Sequence, residues 1–159
     1  MDAISNLPTD ITPHEGQFRD HHHYFACRVY YEDTDFSGIV YHASYLKFME
    51  RARSDMLHQL GMDQRAAFEA DDGAYAVVDL HIKYIAPAKF QDNLLVISSV
   101  TKLRKASVEI EQIIMREDEK IASASVQAAF LTPTGRPRRQ PEAWTQAFAA
   151  VIADDNEQK

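Results

Sequence analysis

One short segment places carboxylates close to the start of a helix. Asp33 and Asp35 lie among turn-forming residues, and Gly38 follows three positions after Asp35. Glycine lets the backbone adopt a positive φ or approach a ligand closely. A helical pattern begins near Ser44, and a helix N-terminus presents backbone N–H groups that can stabilise a developing oxyanion. A carboxylate beside such donors is suited to acyl transfer, in which it acts as a base or a nucleophile.

The same segment also has a purely structural interpretation. Two acids in a turn before a helix often serve as hydrogen-bonded caps or as solvated charge. Residue types and spacing alone leave both interpretations open.

Other residues with reactive side chains have weaker chemical interpretations. Cys27 is the single cysteine and lies in a strand-like pattern, where a free thiol is usually packed and inert. The consecutive residues His21, His22 and His23 would point to alternating sides of an extended chain, and no nearby cysteine or acidic set completes a metal site. We therefore predict a solvent-exposed histidine run and no metal.

The hydrophobic pattern predicts which elements hold the acidic segment in place. Residues 24–31 are rich in aromatic and β-favouring side chains, which predicts a strand before Asp35. Residues 44–60 repeat apolar side chains on one helical face, which predicts a long helix after it. Gly61 would end this helix, and a short second helix would begin at the capping residue Asp63.

Strand patterns dominate the rest of the chain until a last helix, predicted from Pro141 to Ala153. The predicted strands cover residues 74–85, 93–102, 106–115 and 121–132. The apolar face of the last helix would carry Trp144, Phe148 and Ile152. An antiparallel sheet covering the long helix would bury its apolar stripe, which gives an α+β domain. The predicted divisions are a flexible arm over residues 1–22, the domain over 23–140, and a helix and tail over 141–159.

Bulk properties exclude some function classes. The chain has 159 residues and a net charge of -7, which suits one domain and argues against a dedicated nucleic-acid binder. No stretch approaches the roughly 18 apolar residues that a membrane span needs. No signal-peptide pattern is visible at the N-terminus, so a cytoplasmic location is predicted.

A family resemblance rests on the residues from Tyr30 to Tyr45, which include Asp33-Thr34-Asp35, and on Glu50-Arg51-Ala52-Arg53. These segments resemble the 4-hydroxybenzoyl-CoA thioesterase-like hotdog family, and most closely its bacterial Tol-Pal-associated acyl-CoA thioesterase branch. The resemblance covers about residues 25–142. It implies a hotdog fold, in which a curved antiparallel sheet of about five strands wraps a long central helix. It also implies hydrolysis of an acyl-CoA to free acid and CoA, without a cofactor.

The resemblance also implies roles for individual residues. The catalytic aspartate falls on Asp35, the turn glycine on Gly38, and the oxyanion-binding N–H near Tyr41 and His42. The His42 side chain is a candidate for orienting water or substrate, although a structural role is equally open. Two tyrosines are candidates either for the pocket wall or for packing: Tyr30 and Tyr45. The pair Phe36-Ser37 departs from the smaller or proline-containing pairs of the family, which could reshape the lip of the pocket.

The phosphates of CoA require local positive charge, and two clusters resemble family regions that contact CoA. The first contains Arg104, Lys105 and Ser107, and the second contains Arg138 and Arg139. Basic residues at hairpin ends are also commonly just solvated, so both interpretations stay open.

Partners and alternatives follow from the same resemblance. It implies a homodimer or homotetramer with sites at the dimer interface, a role in lipid metabolism, and acyl carrier protein as a further candidate partner. A hotdog dehydratase or hydratase is disfavoured because its motif is absent. The alternative outside catalysis is a binding module for acyl-CoA or acyl carrier protein, linked to lipid or envelope metabolism.

Overall fold

The computed structural model describes residues 6–152 as one antiparallel sheet of six strands with three α-helices. The strands are β1 (Gln17–Arg19), β2 (His22–Arg28), β3 (Ala74–Tyr84), β4 (Asn93–Leu103), β5 (Ser107–Arg116) and β6 (Glu119–Leu131). The helices are α1 (Ser44–Gln59), α2 (Gln64–Glu69) and α3 (Glu142–Ala149). The spatial order β1-β2-β4-β5-β6-β3 leaves β3 at one edge of the sheet. The predicted hotdog arrangement is confirmed, with six strands rather than about five.

The apolar stripe of α1 forms the core, as the helical period predicted. Phe48 and Met49 are completely buried and share a cluster with Val96 and Ile114 of the sheet. Burying large apolar side chains of this kind contributes roughly 1.5–3 kcal/mol each. Gly61 adopts a φ of 78° directly after the helix, which confirms it as the stop signal.

The C-terminal helix completes a second cluster. Its predicted apolar face is confirmed, because Phe148 is fully buried and Trp144 and Ile152 pack beside it. The helix is shorter than predicted, since it ends at Ala149 and Pro141 is its N-cap residue. The last residue of the predicted helix, Ala153, lies outside the described residues, as do the predicted tail after it and the first five residues of the predicted arm.

The sheet begins earlier than the sequence suggested. Gln17–Arg19 form β1 and pair antiparallel with β2, so residues within the predicted flexible arm belong to the sheet. A strand of three residues is too short to show alternation, which is why the pattern missed it. Gly16 supports its docking, because a Cβ there would lie 2.4 Å from the Tyr24 carbonyl oxygen and 2.7 Å from Asp55 Oδ2.

The prediction of a solvent-exposed histidine run is wrong for His23. Its side chain is completely buried, and its Nε2 lies 2.6 Å from Asp55 Oδ2 on α1. The same carboxylate oxygen accepts a hydrogen bond from the Gly16 N–H at 3.0 Å. Asp55 therefore ties the start of the sheet to the central helix and pairs the Nε2 atom of the buried His23 ring, whereas its Nδ1 atom has no partner within residues 6–152.

None of the helices within residues 6–152 combines the length and the hydrophobicity needed to cross a membrane.

Candidate active site

The segment between β2 and α1 forms a small hairpin that carries Asp35. Thr34 and Val40 form an isolated antiparallel bridge, and the Gly38 N–H donates to the Asp35 carbonyl at 3.0 Å. Gly38 has a φ of 81°, and an added Cβ would meet no atom within 4 Å. Glycine is therefore required here for backbone conformation rather than for space.

The connection between β3 and β4 supports this hairpin. The Val40 N–H donates to the Ala88 carbonyl at 2.8 Å. Asp92 fixes the connection in turn, because its Oδ2 accepts from the Lys89 N–H at 2.8 Å and from Arg116 Nη1 at 2.6 Å. The hairpin is thus built onto the sheet and is not a free loop.

The two acids of the hairpin have different environments. Asp33 is buried, and its Oδ2 accepts from the Tyr30 N–H at 2.8 Å. Its carbonyl accepts from the Tyr41 N–H at 2.8 Å. Asp35 is exposed to solvent. The structural interpretation of the motif therefore applies to Asp33, whereas Asp35 stays accessible to a substrate.

Ser37 holds one oxygen of the Asp35 carboxylate. Asp35 Oδ1 accepts from the Ser37 N–H at 2.8 Å and also from the Ser37 hydroxyl. The hydroxyl bond, the N–H bond and the nearby His42 lower the pKa of Asp35, so the carboxylate is ionised at neutral pH. Within residues 6–152, Oδ2 has no hydrogen-bond partner. This role of Ser37 was not predicted from the sequence, although an aspartate two residues before a serine in a turn is a recognisable signal.

Replacing Ser37 with alanine should raise the pKa of Asp35 towards its ordinary value, because the hydroxyl donor is lost and the N–H donor remains. The shift can be measured by NMR titration of the Asp35 side-chain carboxyl carbon. Ser54→Ala is the matched control, because that exposed hydroxyl bonds to Glu50 instead. An unchanged titration in Ser37→Ala would contradict the role of the hydroxyl.

The backbone N–H groups that α1 leaves open begin at His42. The Tyr41 N–H is already donated to Asp33, and the Ser44 N–H donates to the Tyr41 carbonyl at 2.8 Å. In the part of the chain that the structure describes, the His42 and Ala43 N–H groups have no acceptor. The Tyr41 N–H is already used within the hairpin, so the open donors near the predicted oxyanion position are the His42 and Ala43 N–H groups.

The side chains predicted to line a pocket differ in exposure. The Tyr41 and His42 rings are exposed and lie 4.4 Å apart between centroids. Tyr30 is also exposed. Tyr45 is buried, and its hydroxyl oxygen accepts from the Ala88 N–H at 3.0 Å, so packing accounts for it.

The two predicted basic clusters meet at one groove of about 590 Å³, which Arg104, Lys105 and Arg139 line. Gln140 joins the clusters, because its N–H donates to the Lys105 carbonyl at 2.9 Å and its Nε2 to the Arg104 carbonyl at 2.8 Å. We call the groove lined by Arg104, Lys105 and Arg139 the basic groove.

Two other predicted substrate-binding residues do not line the basic groove. Arg138 Nη1 donates to the carbonyl oxygens of Asp71 and Asp72 just before β3. Ser107 is buried, and its carbonyl accepts from Gln140 Nε2 at 3.2 Å. These contacts hold Arg138 and Ser107 within the protomer, and their substrate-binding roles stay predictions.

The basic groove and Asp35 lie at opposite ends of the sheet. The hairpin contacts the connection that leads into Asn93 at the start of β4, whereas Arg104 follows Leu103 at its end. The 11 residues of β4 span roughly 30 Å at about 3.3 Å per residue. The predicted catalytic and phosphate-binding residues of one protomer are therefore far apart.

The residues that could suggest metal or thiol chemistry do not form such a site. Among residues 6–152, His, Cys, Asp and Glu side chains form no group of three or more that could hold a metal ion. Burial raises the pKa of the Cys27 thiol to about 11, which keeps it protonated.

Comparison with known proteins decides the family. The family model described as the thioesterase superfamily matches residues 37–123. The chain belongs to the thioesterase superfamily. This confirms the predicted family and the predicted enzyme class, a thioester hydrolase. The matched span begins just after Asp35, so the role of that residue stays a prediction.

Individual relatives support the same assignment. The chain is 42% identical to an acyl-CoA thioesterase YbgC of Haemophilus influenzae, over 66% of this chain and 77% of the relative. It is 37% identical to an acyl-CoA thioester hydrolase YbgC of Escherichia coli, over 76% of this chain and 91% of the relative. A probable thioesterase from Bartonella henselae superposes with a TM-score of 0.72 at 35% identity, over 76% of this chain and 99% of that chain. These relatives confirm the resemblance to the Tol-Pal-associated branch of the superfamily.

Proposed function

We propose that this thioesterase-superfamily protein hydrolyses acyl-CoA to a free acid and CoA, with Asp35 as the reactive carboxylate. One observation carries the proposal. An exposed, ionised carboxylate with an unoccupied oxygen stands on the hairpin that leads directly to the open His42 and Ala43 N–H groups. The relatives from Haemophilus influenzae and Escherichia coli, an acyl-CoA thioesterase and an acyl-CoA thioester hydrolase, support this activity.

The chemistry follows from this arrangement. The thioester carbonyl oxygen accepts hydrogen bonds from the open His42 and Ala43 N–H groups, which stabilise the negative charge that develops there. Asp35 either attacks the carbonyl carbon to give a mixed anhydride or removes a proton from an attacking water. In the first route the carbon–sulfur bond breaks as the anhydride forms, and water then hydrolyses the anhydride. In the second route the carbon–sulfur bond breaks when the tetrahedral adduct of water collapses. In both routes CoA leaves as its thiolate, which takes up the proton released by water, and water supplies the oxygen of the free acid. No resident cofactor takes part in these steps.

A homodimer formed through β3 would complete the site. β3 is an edge strand with exposed apolar side chains at Val77 and Val78. The unpaired backbone N–H and C=O groups of such an edge can form hydrogen bonds with the same strand of a second copy. Antiparallel pairing about a two-fold axis places the Ala74 end of one β3 beside the Tyr84 end of the other. Two such dimers could associate further as a tetramer.

The dimer geometry explains why Asp35 and the basic groove lie apart in one protomer. The start of β3 lies near the basic groove, because Arg138, next to Arg139, bonds to the residues before Ala74. The end of β3 lies near Asp35, because Tyr84 bonds to His42 after the hairpin. Pairing of the two β3 strands would therefore bring the basic groove of one copy towards Asp35 of the other. In this arrangement the acyl group is cleaved in one protomer while the CoA phosphates bind Arg104, Lys105 and Arg139 of its partner.

The function is tested by measuring free thiol released from a panel of acyl-CoA and aroyl-CoA substrates. The proposal expects catalytic release, and the panel gives the preferred acyl group. Acyl-CoA or acyl carrier protein that binds without thiol release would support the binding-module alternative instead. An acyl-CoA substrate also fits a cytoplasmic enzyme active in lipid metabolism.

Mixed dimers test the shared site. A protein with Asp35→Asn and a protein with Arg104→Glu, Lys105→Glu and Arg139→Glu should each be nearly inactive at low substrate concentration. After unfolding and refolding together in equal amounts, the mixture should recover about a quarter of wild-type activity, because half of the dimers are mixed and each has one intact site. No recovery, with dimers present by light scattering, would contradict a site shared between copies.

A further inference from the structure

Tyr84 at the end of β3 makes a directed contact with the start of α1. Its hydroxyl donates a hydrogen bond to the His42 carbonyl oxygen at 2.7 Å. The two residues are 42 positions apart in the chain, and Tyr84 is 46% exposed. Neither the hydrophobic pattern nor the family motif assigns a role to this hydroxyl.

The His42 carbonyl receives no hydrogen bond from α1. The Leu46 N–H, which could reach back to it, donates to the Ala43 carbonyl at 3.2 Å instead. Because the contact is exposed, water would otherwise pair with this carbonyl. Tyr84 fills this position from a different element of the fold.

The contact fixes a peptide plane that belongs to the proposed oxyanion site. In a trans peptide the carbonyl of one residue and the N–H of the next point in opposite directions. Holding the His42 carbonyl towards β3 therefore directs the Ala43 N–H away from β3. The preceding peptide is fixed separately, because the Tyr41 carbonyl accepts from the Ser44 N–H. Rotation of the peptide after His42 would exchange a donor for a carbonyl oxygen and repel a developing oxyanion.

The Tyr84 ring is itself held in position. It lies edge-on to the Tyr45 ring, with 5.5 Å between centroids. The Tyr45 hydroxyl oxygen accepts a hydrogen bond from the Ala88 N–H. The Ala88 carbonyl in turn accepts one from the Val40 N–H of the hairpin that carries Asp35. One connected set of contacts thus reaches from β3 to both parts of the proposed site.

We propose that Tyr84 is a positioning residue, which orients the Ala43 N–H through its hydrogen bond to the His42 carbonyl of the same peptide. This inference rests on the proposed function, because it concerns the oxyanion site of that reaction. Tyr84 does not touch the reacting atoms. Its effect should therefore appear in the rate of the chemical step and not in substrate binding.

The decisive variant is Tyr84→Phe, which removes the hydroxyl and keeps the ring beside Tyr45. We expect kcat to fall about tenfold, which is less than the roughly 10²–10³-fold cost of removing an oxyanion donor outright, and KM to change less than twofold. The melting temperature should stay close to that of the wild type. Tyr24→Phe is the matched control, since the structure gives the Tyr24 hydroxyl no hydrogen-bond partner within residues 6–152, and it should leave both constants unchanged.

A second measurement needs no substrate. The backbone amide ¹H and ¹⁵N resonances of Ala43 should move in Tyr84→Phe more than those of other residues equally far from the ring. A retained kcat with unmoved amide resonances would overturn the proposal, and a loss of kcat that only parallels a loss of folded protein would overturn it too. These results differ from failure of the proposed function, in which wild-type protein would release no thiol from any acyl-CoA.

Discussion

Asp35→Asn should lower kcat for acyl-CoA hydrolysis by about 10³-fold, within the 10²–10⁴-fold range typical of a positioned acid–base group. The amide oxygen of asparagine can still accept both hydrogen bonds from Ser37, so the hairpin should keep its shape. Asparagine cannot attack the thioester as a carboxylate does, and it is a very weak base. The fold should be unaffected because Asp35 is exposed. Steady-state thiol release measures the rate, and a thermal melt confirms that the variant is folded.

Glu111→Gln is the matched control for this change. It also replaces an exposed carboxylate with an amide, but on β5 away from the hairpin, and should leave kcat unchanged. Turnover near the wild-type level in Asp35→Asn would remove Asp35 from the mechanism. Because Asp33 is buried and hydrogen-bonded to Tyr30, it would not be available as a replacement carboxylate.

Asp55→Ala should lower the free energy of unfolding by about 2–3 kcal/mol, the cost of leaving buried hydrogen-bonding groups unsatisfied. The change removes the partner of the fully buried His23 and the acceptor of the Gly16 N–H. For a domain of this size, such a loss in the free energy of unfolding corresponds to a fall in melting temperature of roughly 5–10 °C. Urea denaturation and thermal melts measure both quantities. Glu111→Ala should change them little, and an equal effect in the two variants would contradict the structural role of Asp55.

The same pair should make the fold sensitive to mild acid. Burial lowers the pKa of His23 below its ordinary value of 6.5, although Asp55 opposes this effect. Below pH 6.5, His23 therefore binds a proton more readily in the unfolded chain than in the folded chain. The free energy of unfolding is thus greatest above pH 6.5 and falls as the pH decreases towards the pKa of His23 in the folded protein. Urea midpoints measured from pH 8 to pH 5 should show this loss. His23→Gln should flatten the dependence, whereas His22→Ala, on the same strand but only half-buried, should not.

The sequence predicted the elements around the site well because their signals are local. The buried stripe of α1 follows from the helical spacing of Tyr45, Phe48 and Met49, and α1 starts at Ser44 as predicted. Gly38 at a positive φ follows from turn chemistry. The sequence did not predict β1, because a strand of three residues has no usable period and is held by contacts with distant residues.

Local signals likewise could not assign the functional groups within each motif. Asp33 and Asp35 have the same chemistry and adjacent turn positions, yet one is buried and the other exposed. The basic clusters were visible as charge, but only the structure shows that Arg104 and Arg139 share a groove and that Arg138 does not line it.

By itself, the sequence determined the α+β class, the long central helix, the acidic hairpin in front of it and membership of a thioesterase family. These properties depend on hydrophobic period, turn residues and a contiguous motif, each of which acts over a few neighbouring positions. Only the tertiary structure decided that Asp55 holds the buried His23 across 32 positions and that Tyr84 holds the start of α1 across 42. The physical reason is that a hydrogen bond between distant residues depends on how the sheet and the helix pack together, and no local pattern records that packing.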